Sequence, residues 1–140
     1  GLDVAVSGVG YLPEGRFQVG AHVIDPDRHE ALALALRAGV LCNDARMALD
    51  DQGQWHVVGD PTEGALLTLA HKAGLDAPDT TRQYPRIDAI PFESEHKFMA
   101  TLHRAADGTL IARVDGEEWF REDVAWQEKK ILNPVFFAFL

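Results

Sequence analysis

The chain has 140 residues, 46% of them apolar and 25% charged, which is the size and composition of one packed domain and excludes disorder along its whole length. With 13 Lys and Arg against 22 Asp and Glu, the formal net charge is -9. That charge disfavours a nucleic-acid partner, and an anionic ligand would have to be held by local groups against the field of the whole molecule.

In chain order, Val4, Val6, Val9 and Tyr11 predict a first strand. The turn signal Leu12–Gly15 follows, and Arg16–Val19 reads as the returning strand. Asp25, Pro26 and Asp27 are expected to open a helix whose apolar stripe is Leu32, Ala35, Leu36 and Gly39, broadened by Leu34 and Ala38. Cys42–Ala45 is polar punctuation after that helix, Asp50–Gln54 a loop and Trp55–Val58 a short strand. The clearest helix follows, with Asp60 as N-cap and Pro61 at its first position, where a missing N–H costs nothing. Its stripe is Leu66, Leu69, Ala70 and Ala73, and Gly74 stands where a left-handed cap is needed.

Asp76–Arg82 reads as a loop. Ile87–Phe92, Lys97–Arg104 and Thr109–Val114 then form a meander of three strands, with a hairpin turn at Ala105–Gly108. Glu117–Lys130 is charged and permits a helix, while the apolar stretch Ile131–Leu140 fits a final buried strand despite Pro134. Two helices among many short strands predict an α+β fold: a mainly antiparallel, twisted sheet flanked by helices, in a single domain over residues 1–140.

The lone cysteine, Cys42, lies in an apolar run and is expected to be a buried structural thiol in a reducing compartment. No apolar run reaches the ~18–20 residues a membrane span needs, so the chain as given is expected to be soluble. Residue 1 is Gly, not Met, and the first residues carry no basic stretch, which predicts a piece of a longer protein with no signal peptide.

Several motifs fail on inspection. Gly8 and Gly10 are followed by Tyr11, Leu12 and Pro13 where a dinucleotide loop needs a third glycine and a helix. No Gly-Lys-Ser/Thr phosphate loop exists, and the six histidines lack metal-ligand spacing. Asp25 and Asp27 run into a helix with no turn glycine, against a calcium loop. Ser7 and Ser94 have no nucleophile-elbow context.

Two segments carry chemistry. In Gly59–Leu67, Asp60 and Glu63 match a variant capping box, and equally place Thr62 and Glu63 at an exposed helix N-terminus, where a carboxylate can accept hydrogen bonds from an exocyclic amine. In Pro91–Met99, a four-residue link between strands would make Phe92 and Lys97 direct cross-strand neighbours. An aromatic face beside an ammonium suits a flat ring carrying phosphates; the competing reading is a core phenylalanine and a solvated lysine.

Taken together and in order, Ser7–Phe17, Leu41–Ala45, Val57–Leu67 and Ile90–Leu102 resemble the nucleotide-binding domain of P-type cation-transporting ATPases, closest to the calcium and sodium-potassium branch. The resemblance covers about residues 4 to 114. It implies an antiparallel sheet flanked by helices, inserted in the cytoplasmic headpiece of a membrane pump. It further implies ATP as ligand (Mg-ATP in the full-length pump), the pump's phosphorylation and actuator domains as partners, and no direct membrane contact by this domain. The isolated chain is expected to be a monomer.

By the same resemblance Phe92 would stack on adenine, Glu63 would bond its amino group, and Lys97 would lie near the adenine and phosphate path, with Thr62, Ser94 and Met99 lining the pocket. No catalytic residue is implied here, because the string around the phosphorylated aspartate is absent. The family's Lys-Gly-Ala-Pro-Glu string is replaced by Arg113–Glu118, with Asp115 at the expected lysine. That departure keeps a second reading open: a divergent interaction domain of the same fold that does not bind nucleotide.

Overall fold

The computed structural model describes residues 3–95, 98–106, 108–115 and 135–138; for residues 98, 108–115 and 135–138 it describes the backbone. Glu117–Lys130, whose charged sequence permits a helix, lies outside the described residues, as does Lys97.

Among the described residues the elements are α+β, in three sheets. Strands β1 (Ala5–Val6), β2 (Phe17–Val19) and β3 (His22–Ile24) form a small antiparallel sheet in which Phe17, 2% exposed, supplies the buried side chain. The first strand is shorter than expected: Val9 and Tyr11 lie outside it, in the loop leading to Gly15. That loop is closed by hydrogen bonds from the Arg16 amide to the Ser7 hydroxyl at 2.9 Å and from the Lys72 ammonium to the Ser7 carbonyl at 3.1 Å.

The predicted first helix is divided. Asp25 accepts from the Asp27 amide at 3.1 Å and opens a 3₁₀ turn, Pro26–Arg28, which ends at an extended His29. Helix α1 (Glu30–Leu41) begins only then. Its last two turns bury Leu36, Ala38, Gly39, Val40 and Leu41.

Strands β4 (Arg46–Leu49) and β5 (Trp55–Val58) pair antiparallel across a turn in which Asp50 accepts from the Gln52 and Gln54 amides, each at 2.8 Å. Strand β4 is absent from the sequence reading. Helix α2 (Pro61–Lys72) has the expected caps: Asp60 at its start, and Gly74 just past its end at φ +81.

Asp76–Arg82 is not a loop. Helix α3 (Ala77–Gln83) forms there because Asp76 accepts from the Asp79 amide at 2.7 Å, Pro78 fits the first turn, and Thr80 is buried. A polar heptamer with no apolar period hides such a helix from periodicity.

The main sheet runs β6 (Arg86–Ile90), β7 (Phe98–Ala105), β8 (Gly108–Asp115) and β9 (Val135–Ala138) in spatial order. The first three strands are the predicted antiparallel meander; β9 pairs with β8 in parallel and falls within the predicted last strand, starting one residue after Pro134. The expected pairing of Phe92 with Lys97 is off. In the observed register Ile90 faces Ala100, which projects Phe92 onto Phe98, and β6 ends at Ile90 before either is reached.

Helix α1 packs against α2 on one side and the main sheet on the other. Ala38, Leu41, Cys42 and Met99 form one core cluster beside Tyr84; Val40, Leu67 and Ala70 form a second with Met47 and Leu75. Leu41 is fully buried, so truncation to Ala should cost about 2–5 kcal/mol. Cys42 is buried as expected, its thiol 3.5 Å from the Met99 carbonyl. Among the described residues no helix is long and apolar enough to cross a membrane.

Candidate functional site

The site is built where three elements meet: the loop after α1, the first turn of α2, and the start of β6. The sequence fixes the α2 end tightly. Gly59 adopts φ +124, and a Cβ there would lie 2.9 Å from Ala45. A Cβ on Gly64 would lie 2.3 Å from a Val57 methyl, so only glycine lets the helix start press onto β5. Asp60 Oδ1 accepts from the amides of Thr62 at 2.8 Å and Glu63 at 3.2 Å, satisfying two orphan donors of the first turn.

Glu63 does not act as the reciprocal half of a capping box. Its Oε1 accepts from the Asp44 amide across the gap, at 3.3 Å. Its own carbonyl accepts from the Asn43 side-chain amide at 2.8 Å. Asn43, 8% exposed, also donates to the Gly39 carbonyl at 3.0 Å and accepts from the Ala45 amide at 2.9 Å, which ties the end of α1 to the start of α2. Arg86 closes the arrangement from β6: it donates to the Asp44 carboxylate at 2.6 Å and to the carbonyls of Asn43 at 2.8 Å and Leu41 at 3.2 Å.

The electrostatics follow from this packing. Burial raises the Glu63 carboxyl above its ordinary value of 4.5; the Asp44 amide opposes this, the Asp44 and Asp60 carboxylates add to it, and Arg86 opposes it more weakly. Below the site, His103 is fully buried. Its Nδ1 lies 2.8 Å from the Tyr84 carbonyl and its Nε2 2.9 Å from the Thr101 hydroxyl. Desolvation lowers its pKa below 6.5, with Arg86 adding to the effect and the hydrogen bond to Tyr84 opposing it.

The sequence-predicted residues fall into three groups. Thr62 and Glu63 share the first turn of α2, Thr62 exposed and Glu63 half-buried. Phe92 and Ser94 lie on the exposed segment that follows β6, Phe92 being 62% exposed. Met99 is 6% exposed and packs in the core against Ala38, Leu41 and Cys42. Sequence reasoning gave no role to Asn43, Asp44 or Arg86. The first two stand in the quoted string Leu41–Ala45, so that signal was present; Arg86 had none beyond a charge at the head of a strand.

The arrangement offers a half-buried acceptor at a helix N-terminus and, beyond the strand that braces it, an unpacked aromatic ring. A family model described as P-type ATPase, cytoplasmic domain N, matches residues 31–117. The chain is similar to the "Cation-transporting ATPase pma1" of Synechocystis sp., 44% identical over 119 residues, 81% of this chain and 13% of that protein. It is 40% identical over 108 residues to the "Probable cation-transporting ATPase F" of Mycobacterium tuberculosis, covering 76% of this chain and 12% of that one. With the "Calcium-transporting ATPase" of Bacillus subtilis it shares 38% identity over 97 residues, 69% of this chain and 11% of the relative. The matched chain thus spans only 11% to 13% of these relatives' lengths.

Proposed function

The chain belongs to the cytoplasmic domain N family of P-type cation ATPases, and from that premise we propose that it binds ATP by the adenine end and presents the γ-phosphate to an aspartate on a separate phosphorylation domain. The observation that carries this is the Glu63 carboxylate, half-buried in the first turn of α2 and held there by the Asp44 amide. A carboxylate fixed there accepts from the exocyclic amine of adenine and repels the carbonyl oxygen of guanine. Phe92 supplies the stacking face, worth about 1–3 kcal/mol. Thr62 and Ser94 border the base, Met99 supports the floor from within the core, and Lys97 serves the phosphate path.

The domain's contribution is positioning. Few contacts hold the base, and the phosphoryl chemistry lies on another domain of the parent pump, whose phosphorylation and actuator domains are its partners and whose substrate is Mg-ATP. In this reading residues 1–140 act as one unit on the cytoplasmic face of the membrane. Affinity on the order of millimolar, about -4 kcal/mol, suits a ligand that must be handed over and released as ADP.

The test is an amide-shift titration of the 140-residue chain with ATP, and with GTP as control. Saturable shifts around Glu63 and Phe92, larger for ATP, are expected. Phe92→Ala should abolish them while changing stability by less than about 0.5 kcal/mol, because the ring is exposed. Asp115, at the end of β8 where the family has lysine, favours the rival reading of a domain of this fold that has lost nucleotide. Absence of any shift at several millimolar ATP would decide for that rival.

A further inference from the structure

Arg86 has no counterpart in the nucleotide reading, yet it makes three hydrogen bonds, two of them to carbonyls of one short loop, Leu41 and Asn43, and one to the Asp44 carboxylate. Asn43 also stitches this segment to α2, while the Asp44 side chain beyond it is exposed. The Asp44 amide is nonetheless the group that holds Glu63 Oε1. The strand prepares the contact: the β6–β7 register slips between Arg86 and Asp88, leaving Ile87 as the extra residue of a bulge, and bulges re-aim side chains. A planar guanidinium suits three acceptors around one loop in a way that an ammonium does not.

We propose that Arg86 is a positioning residue for the nucleotide site: by clamping Leu41–Asp44 it fixes the Asp44 amide, and through that amide it sets the direction of the Glu63 carboxylate toward the base. The role rests on the nucleotide reading above. Among the described residues, the charged groups facing Glu63 are the carboxylates of Asp44 on the loop and Asp60 at the helix cap, with the Arg86 guanidinium from β6. Removing Arg86 therefore also removes, among the described residues, the cation that favours the ionised carboxylate.

The experiment compares wild type, Arg86→Met and Arg86→Lys, each with Glu63 and with Glu63→Gln, in the 140-residue chain. ATP affinity is read by amide shifts, and the Glu63 titration midpoint by ¹³C-carboxyl NMR of the free protein. Arg86→Met is expected to weaken ATP about fivefold when Glu63 is present and less than about twofold in the Glu63→Gln background. It should also move the Glu63 midpoint upward. Arg86→Lys, which keeps the charge and loses the fork, should bind between wild type and Arg86→Met, and carries the same comparison should the methionine variant not fold. A folded variant that binds ATP as wild type does, or loses affinity equally in both backgrounds, or leaves the Glu63 midpoint unmoved, overturns the role. Absence of saturable ATP binding by the wild type is a different result, and it overturns the nucleotide reading itself before any variant is compared.

Discussion

Glu63 is held where its ionisation costs stability. Burial raises its carboxyl, so between pH 4.5 and that raised value the folded chain holds more protons than the unfolded one. The contribution of this residue to stability is therefore full below pH 4.5 and is lost as pH rises through the raised value. Glu63→Gln should melt at a higher temperature than wild type at pH 7, with the two converging at low pH, and should bind ATP more weakly. Thermal melts at both pH values check the first part; a variant less stable than wild type at pH 7 would contradict it.

His103 has the opposite sign. Its depressed pKa keeps the buried ring neutral, so its contribution is present above pH 6.5 and is lost as pH falls through the lowered value. Denaturant midpoints should drop below pH 6.5 in wild type and drop less in His103→Gln. At this scale the sequence was most informative where partners are close in the chain. Asp60 and Pro61 are adjacent, and the cap that Asp60 makes on the Thr62 and Glu63 amides follows from local rules. Arg86 was opaque because Asp44, its carboxylate partner, lies 42 residues away, and only the fold brings them together.

Among the elements, two helical glycines make opposite predictions. A Cβ on Gly39 in α1 would touch Leu66 Cβ at 3.5 Å, an ordinary contact, so Gly39→Ala should stabilise by about 0.5–1 kcal/mol by restricting the unfolded chain. In α2, a Cβ on Gly64 would meet Val57 methyls at 2.3 and 2.4 Å, so Gly64→Ala should destabilise by about 1–3 kcal/mol. Urea midpoints of the two variants test the packing of both helices at once. The elements that periodicity revealed are those with a long apolar stripe or strong turn residues at their ends: α1, α2 and the β6–β8 meander. Helix α3 was hidden because its order comes from the Asp76 cap and from Thr80 rather than from apolar spacing. Strand β4 was hidden because both its end residues, Arg46 and Leu49, are exposed and blur the alternation. The register of β6 on β7 missed by one residue, since a hairpin link read from sequence fixes neither where the ladder stops nor its slip at Ile87.

At the scale of the whole molecule, the fold joins the start of α2 to the start of β6, the strand that leads into Phe92. The stretch Leu41–Asp44, clamped by Arg86 and stitched by Asn43, is the joint between those two elements. The net charge of -9 gives that joint its design constraint. A triphosphate gains nothing from the overall field, so under the proposed function recognition would begin at the uncharged base, with Phe92 to stack on and Glu63 to accept from its amine. The most direct measurement is a set of intermolecular NOEs from the adenine H2 and H8 protons to the Phe92 ring in the chain saturated with ATP. These NOEs are expected, together with their loss when GTP replaces ATP at the same concentration. Saturable ATP binding with no NOE to Phe92, and shifts that bypass Glu63, would place the nucleotide elsewhere and contradict the proposed function.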